Sequence, residues 1–217
     1  MTTFAVLPAY NENQEKLNQF LNILENFVDH IIVVDDGSDD IIKTNIGYIL
    51  RHEINRGQGA ALQTGTDYAL KHGADLIIHL DSDGQHRPED IPALIKPIQE
   101  GSADFVFGSK FLDKSNQIPW SKKYIIVPIA KIINYIFTGL KLSDVHNGYR
   151  AFSAKVASQV YLTQDKMAHN TEYPYLVKKN NIKHTEVPVK VIYHEYGQGI
   201  GGGFKILKEL LLAKLLK

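Results

Sequence analysis

The stretch IIVVDDGS at residues 31–38 decides the fold class. Four consecutive β-branched residues show no polar alternation, so the strand they form is buried on both faces, as in a parallel sheet. Asp35, Asp36, Gly37 and Ser38 then end it in a turn. The same unit recurs on either side. Residues 4–7 are an apolar run stopped by Pro8, a strand feeding a loop. Leu17, Phe20, Leu21, Leu24, Phe27 and Val28 follow at helical spacing. Downstream, residues 46–50 predict another strand, and a loop with Gly57 and Gly59 leads into a helix. Residues 76–80 predict a buried strand ending in Asp81-Ser82-Asp83-Gly84. Pro88 opens a further helix, and residues 105–107 form the next strand.

This alternation predicts an α/β fold with a mostly parallel, twisted sheet flanked by helices. Such sheets place ligands at the carboxyl ends of their strands. Three of those ends carry polar clusters, at residues 8–12, 35–39 and 81–85, so one site built from three turns is expected. The second half is less regular. A helix is predicted over 122–137, a polar loop over 143–150, a helix over 171–179 and a strand over 185–192. Five glycines then fall within residues 197–203.

With 44% hydrophobic and 22% charged residues in a chain of 217, disorder, collagen-like repeats and a multi-span membrane protein are excluded. The formal net charge of zero is a cancellation. Residues 1–100 carry 16 acidic and 7 basic side chains, residues 101–217 carry 8 and 17. The acidic half suits a cation and the basic half suits anions. The absence of cysteine excludes disulfides, thiol catalysis and thiolate metal sites. The N-terminus has no signal-peptide pattern, and no run of 18 uncharged apolar residues exists.

Asp81 and Asp83, one residue apart at the tip of a buried strand, offer hard oxygen ligands suited to Mg²⁺ or Mn²⁺, with Gln85 a third oxygen donor. A capped turn would use the same residues. The segments PAYNE (8–12), VVDDGSDD (33–40), NRGQGAALQTG (55–65) and LDSDGQH (80–86) follow in order, and DVHNGYRAFS (144–153) and EVPV (186–189) continue the series. Together they resemble glycosyltransferase family 2, inverting enzymes of the GT-A fold, in its dolichyl- and polyprenyl-phosphate mannose or glucose synthase branch.

That resemblance implies a Rossmann-like nucleotide-binding half and an acceptor-binding half. It implies that Pro8, Tyr10 and Glu12 hold the nucleoside and that Asp36 recognises the base, although Asp36 could instead cap the following helix. It places Asn55 and Arg56 in the wall of the donor pocket, and Asp81, Ser82, Asp83 and Gln85 at the metal and diphosphate. Lys110 stands where relatives usually have arginine, keeping the charge and losing the fork. Arg150 is the stronger anion ligand, for acceptor phosphate or pyrophosphate, unless it is a surface arginine paired with Asp144. Where the mannose synthases supply an arginine and a lysine to the diphosphate, this chain has His194 and Ile200, and His194 either contacts phosphate or metal or is simply a hydrogen-bonded side chain. The glycines at 197–203 suit a lid.

The implied reaction is inverting, metal-dependent transfer of a hexose from a UDP- or GDP-linked sugar to a polyprenyl phosphate. Such an acceptor oxygen is already ionised and needs no general base. The alternatives are transfer to a saccharide hydroxyl, for which Glu172 would be the base, and a sugar-nucleotide-binding protein without activity. Residues 120–140 combine Trp120, Lys122, Lys123 and Tyr124 with several isoleucines, and residues 204–217 carry four lysines among seven Leu and Ile residues. Both suit a membrane surface, and equally packing on the sheet or a homodimer interface. One domain is expected over 1–217, with donor half 1–110, acceptor half 111–203 and basic C-terminal helix 204–217. The expected location is cytoplasmic, peripheral at the inner face of the membrane, without a nucleic-acid partner.

Overall fold

A computed structural model describes residues 1–113, 127–145 and 147–191. Its sheet is built on β1 (Thr3–Ala9), which pairs in parallel with β2 (His30–Asp35) on one side and β4 (Leu76–His79) on the other. β2 pairs in parallel with β3 (Tyr48–Arg51), the exposed edge. Beyond β4 lie β6 (Arg150–Ser153), β5 (Phe105–Ser109) and β7 (His184–Pro188), giving seven strands in the order β3-β2-β1-β4-β6-β5-β7. β6 is antiparallel to both neighbours, while β5 and β7 are parallel.

Burial on both faces follows from the alternation within β1. Phe4 and Val6 point into one core cluster, Ala5, Leu7 and Ala9 into the other. α1 (Gln14–Leu24), capped by the Asn13 side chain accepting from the Lys16 N–H at 3.0 Å, buries Leu17, Phe20, Leu21 and Leu24 in the second cluster. α3 (Ile91–Gln99) joins it there through Ile91, Leu94 and Ile98. α2 (Gln58–Lys71), α5 (Ala154–Ala157) and α6 (His169–Lys179) cover the opposite face, with α4 (Val127–Thr138) packed against α6.

Two expectations are corrected. β1 does not stop at Pro8 but runs through it to Ala9. The Pro8 carbonyl faces β4, where it accepts from the Ser82 hydroxyl, so its nitrogen faces the same side, beyond the last ladder residue of β4. The missing N–H therefore costs no ladder bond. The polar loop predicted over 143–150 ends one residue early, because Arg150 opens β6, Arg-Ala-Phe-Ser, a strand not predicted from the sequence and inserted between β4 and β5. The other predicted strands and helices fall within a few residues of the observed ones. The predicted end of the last strand at 192, His194, the glycines at 197–203, residues 120–126 and the C-terminal helix at 204–217 lie outside the described residues.

Phe152 carries the inserted strand into the core. Its ring stacks on Phe105 at 5.3 Å and meets His79 edge-on at 5.0 Å. Phe152→Ala is expected to lower the unfolding free energy by about 3–5 kcal/mol, read from urea denaturation.

Candidate active site

Parallel pairing of β1, β2 and β4 delivers their three following turns to one edge of the sheet, and hydrogen bonds tie the turns together. The Ser82 hydroxyl lies 2.8 Å from the Pro8 carbonyl and 3.0 Å from Glu12 Oε1, joining the turns after β4 and β1. The Asn11 N–H donates to Ser38 Oγ at 2.9 Å, the Asp39 N–H donates to Asn11 Oδ1 at 2.9 Å, and Asn11 Nδ2 donates to Asp39 Oδ2 at 3.0 Å, joining the turns after β1 and β2. Tyr10, 47% exposed, stands at the mouth of this arrangement, an accessible ring for stacking.

The adjacent aspartates of the second turn have separate structural tasks. Asp35 is fully buried and accepts from the Ser38 N–H at 2.9 Å, the Ile42 N–H at 3.5 Å and the Arg51 guanidinium. Burial acts to raise its pKa, but the Ser38, Arg51 and Ile42 donors together hold it below the ordinary value. Asp36 Oδ1 accepts from His52 Nδ1 at 2.6 Å and the Arg56 N–H at 3.0 Å, and Oδ2 from the Gly57 N–H at 2.6 Å. Asp36 therefore does not cap a helix of its own turn. It draws the 52–57 loop over the end of β2, and Oδ2 keeps one lone pair for a further donor. Gly37 makes this approach feasible, since its φ is +76° and a Cβ there would lie 2.6 Å from the Ile54 carbonyl carbon. Asn55 and Arg56 stand exposed on that loop.

The third turn holds the carboxylates. Asp83 is exposed and Oδ1 accepts from the Gln85 N–H at 2.9 Å. Asp81 Oδ1 accepts from Gln58 Nε2 at 2.7 Å, and the Asp81 N–H donates to His86 Nδ1 at 3.1 Å. Because Nδ1 of His86 is used as an acceptor, its 3.9 Å approach to Asp81 Oδ2 is not an ion pair. Half-buried Glu12 has its pKa raised by burial, and the charges of Asp83 and Asp81 push it further, against the lowering effect of Ser82. Three carboxylates close enough to repel one another form a negative field that a divalent cation would relieve. Among the described residues no group of three or more carboxylate or imidazole side chains is arranged to hold a metal. Asp81 and Asp83 thus form a partial donor set that fits a cation completing its shell with phosphate oxygens and water.

β6 brings the cation of the site. Being antiparallel, it presents its first residue, Arg150, at the edge where parallel strands present their last. Gly148 lets the approaching backbone lie against Asp81, whose oxygens would be 2.9 Å from a Cβ there. Arg150 is not a surface arginine paired with Asp144. It is 2% exposed, its Nη2 donates to the Asn147 carbonyl and to Asn170 Oδ1 at 2.7 Å each, and its guanidinium lies 4.7 Å from the Tyr173 ring centre. Nε and Nη1 are buried without a hydrogen-bond partner, each at a cost of roughly 1–3 kcal/mol. Asp144 instead pairs with Lys110, Nζ reaching its two oxygens at 2.9 and 2.8 Å. Lys110 thereby anchors the 143–150 loop, as does Glu186 of EVPV, which accepts from the Ser143 N–H at 2.8 Å and hydroxyl at 2.7 Å.

Three imidazoles support the site and were not singled out from sequence. His52 links Asp36 to Thr64 of α2, where its Nε2 lies 3.0 Å from the hydroxyl. His79, in the middle of the sheet, bonds Thr66 at 2.9 Å and Tyr173 at 3.2 Å, and burial together with Arg150 pushes its pKa well down. An ionisable residue inside the apolar run LIIHL was the available signal. His169, fully buried at the start of α6, donates from Nδ1 to the Lys166 carbonyl at 2.8 Å and leaves Nε2 unpartnered. Glu172 is engaged by Thr163 and Gln164, accepting from the Thr163 hydroxyl at 2.6 Å and the Gln164 N–H at 2.9 Å.

Residues 4–161 match glycosyl transferase family 2. A UDP-N-acetylglucosamine–dolichyl-phosphate N-acetylglucosaminyltransferase of Methanococcus voltae is 34% identical over 99% of this chain and 96% of its own length. A polyprenol monophosphomannose synthase of Mycolicibacterium smegmatis is 25% identical over 90% and 79%. A solved structure of glucosyl-3-phosphoglycerate synthase from Mycobacterium tuberculosis, in complex with Mn²⁺, UDP and glucosyl-3-phosphoglycerate, superposes with a TM-score of 0.70 at 18% identity, over 98% of this chain and 79% of that one. The fold is GT-A.

Burial and the Arg150 charge push the pKa of His169 down to about 4, from 6.5 in the unfolded chain. The unfolded state therefore binds the extra proton, and stability is lost as pH falls from 6.5 towards 4. This one group is expected to account for about 3 kcal/mol across that window. Urea denaturation at stepped pH, on wild type and His169→Gln, is expected to show a shallower slope in the variant.

Proposed function

The chain belongs to glycosyltransferase family 2 and is a glycosyltransferase, and from that premise we propose that it transfers a hexose from a UDP- or GDP-linked sugar, with inversion and with Mg²⁺ or Mn²⁺, to a polyprenyl phosphate at the cytoplasmic face of the membrane. The observation that carries this reading is Arg150, a buried cation with two unpaired nitrogens beside the Asp81–Asp83 turn. An arginine so placed is poised for an anionic phosphate, and a dolichyl phosphate stands in the name of the Methanococcus voltae relative.

In this mechanism Tyr10, Glu12, Asp36, Asn55 and Arg56 surround the nucleoside. Asp81 and Asp83 would hold the divalent cation, which supplies charge neutralisation for the leaving diphosphate. Arg150 holds the acceptor phosphate against the anomeric carbon. An ionised phosphate oxygen attacks that carbon, and the bond to the diphosphate breaks with its electron pair leaving on the nucleoside diphosphate. No proton need be removed, so catalysis rests on positioning and electrostatics. The engagement of Glu172 with Thr163 and Gln164 leaves it poorly placed as a base and disfavours a saccharide hydroxyl as acceptor.

The described part of the 120–140 segment supports peripheral membrane contact. Ile129, Ile132, Tyr135 and Ile136 share one face of α4, with Ile132 and Ile136 at 61% and 65% exposure. Lys131 and Lys141 flank that face, lying 5.4 Å from the Phe111 ring centre and 5.3 Å from that of Tyr135. No helix among the described residues is long and apolar enough to cross a membrane.

Transfer of labelled sugar from UDP- and GDP-sugars with Mn²⁺ is expected to place label in the lipid extract. Asp83→Ala is expected to reduce the rate by about 100-fold or more, and Glu172→Gln to retain transfer. Water-soluble label together with an inactive Glu172→Gln would favour the saccharide reading. The double variant Ile132→Glu/Ile136→Glu is expected to weaken sedimentation with anionic vesicles by about ten-fold or more, since each isoleucine contributes roughly 1.5–3 kcal/mol when buried.

A further inference from the structure

His169 is not explained by the reaction as written. Its Nδ1–H is committed to the Lys166 carbonyl, so Nε2 carries a lone pair and acts as an acceptor. That acceptor is buried and unpartnered, as are two donors of Arg150, Nε and Nη1. The two residues belong to one cluster. Asn170, next to His169 in the first turn of α6, receives Arg150 Nη2, and the Arg150 charge is felt by His169. Among the described residues no carboxylate forms an ion pair with Arg150. The groups bonded to it or stacked on it are neutral, namely the Asn147 carbonyl, the Asn170 amide and the Tyr173 ring.

Two donors alone would take any oxyanion. An acceptor beside them changes the specification, because a fully ionised oxyanion would set its own lone pairs against Nε2. The matching ligand carries ionised oxygens for Arg150 and an O–H for His169. We propose that Arg150 and His169 together recognise a protonated phosphate monoester, and that His169 is a specificity-determining residue for it. A phosphate monoester has a second pKa near 6 and so retains a proton on part of its population at neutral pH. A phosphodiester and a sulfate have none to offer. Resting on the acceptor reading above, His169 would favour the lipid monophosphate over its glycosylated product, which is a diester. The nitrogens are closed to solvent in this conformation, so binding requires a local opening of the protein around them.

The test measures binding to the full-length protein by calorimetry at pH 7, with inorganic phosphate against sulfate, and citronellyl phosphate against citronellyl sulfate. Phosphate is expected to bind about ten-fold more tightly than sulfate in each pair, the value of one hydrogen bond replaced by one repulsion. His169→Phe, which removes the acceptor, is expected to bring the ratio near one, and His169→Gln, which keeps an amide oxygen, to preserve part of it. Equal affinity for phosphate and sulfate in wild type overturns the proposal, whatever either variant does, and so does a folded His169→Phe that keeps the full preference. Failure of the acceptor reading looks different. Inorganic phosphate would still be preferred over sulfate, while citronellyl phosphate bound no better than inorganic phosphate and accepted no sugar.

Discussion

Because β1 pairs in parallel with both β2 and β4, the turns carrying Glu12, Asp36 and Asp81–Asp83 must leave the sheet at one edge. Everything chemical in the molecule depends on that constraint. Parallel pairing requires helical crossovers, and the helices that satisfy it also seal both faces, so the polar edge is the place left for a ligand. The turns are then locked by short bonds between neighbours, Ser82 to Pro8 and Asn11 to Ser38 and Asp39. The carboxylates are presented by a preformed frame.

The second half contributes by reversing direction. β6 enters antiparallel between β4 and β5, and that reversal puts a basic residue at an edge where the parallel strands put acidic ones. The division of charge along the chain acquires a local meaning here. Part of the basic surplus is neutralised structurally, as Lys110 is by Asp144. Arg150 is treated differently: its hydrogen-bond and stacking partners are neutral, and Asp81 and Asp144 act on it only through their fields.

Much of this was legible in the sequence. Apolar runs ending in Asp-rich turns identify the strands and their carboxyl ends, since that pattern is set by burial on both faces, which composition records directly. The role of Arg150 as a buried cation and the pairing of Lys110 with Asp144 were not legible. The first depends on β6, four residues too short for any periodicity to register, and the second joins positions far apart in the chain. His52, His79 and His169 escaped for a related reason. A single histidine makes no periodic pattern, and apart from the apolar run around His79 its meaning lies in what packs around it. Asp36 was singled out from its turn, while its bonds to His52, Arg56 and Gly57 exist only once the 52–57 loop has folded back.

The position of β7 bears on how the molecule is made. β5 pairs on one side with β6 and on the other with β7, where Phe105 faces His184. A nascent chain that has left the ribosome as far as α5 already contains six strands and both core clusters' main contributors. Yet one side of β5 still shows unsatisfied N–H and C=O groups along an apolar strand, the kind of edge that recruits other chains. Only the last described strand closes it. The interval between synthesis of β6 and docking of β7 is therefore the period in which a chaperone would protect this protein most, and slow translation there would lengthen the exposure.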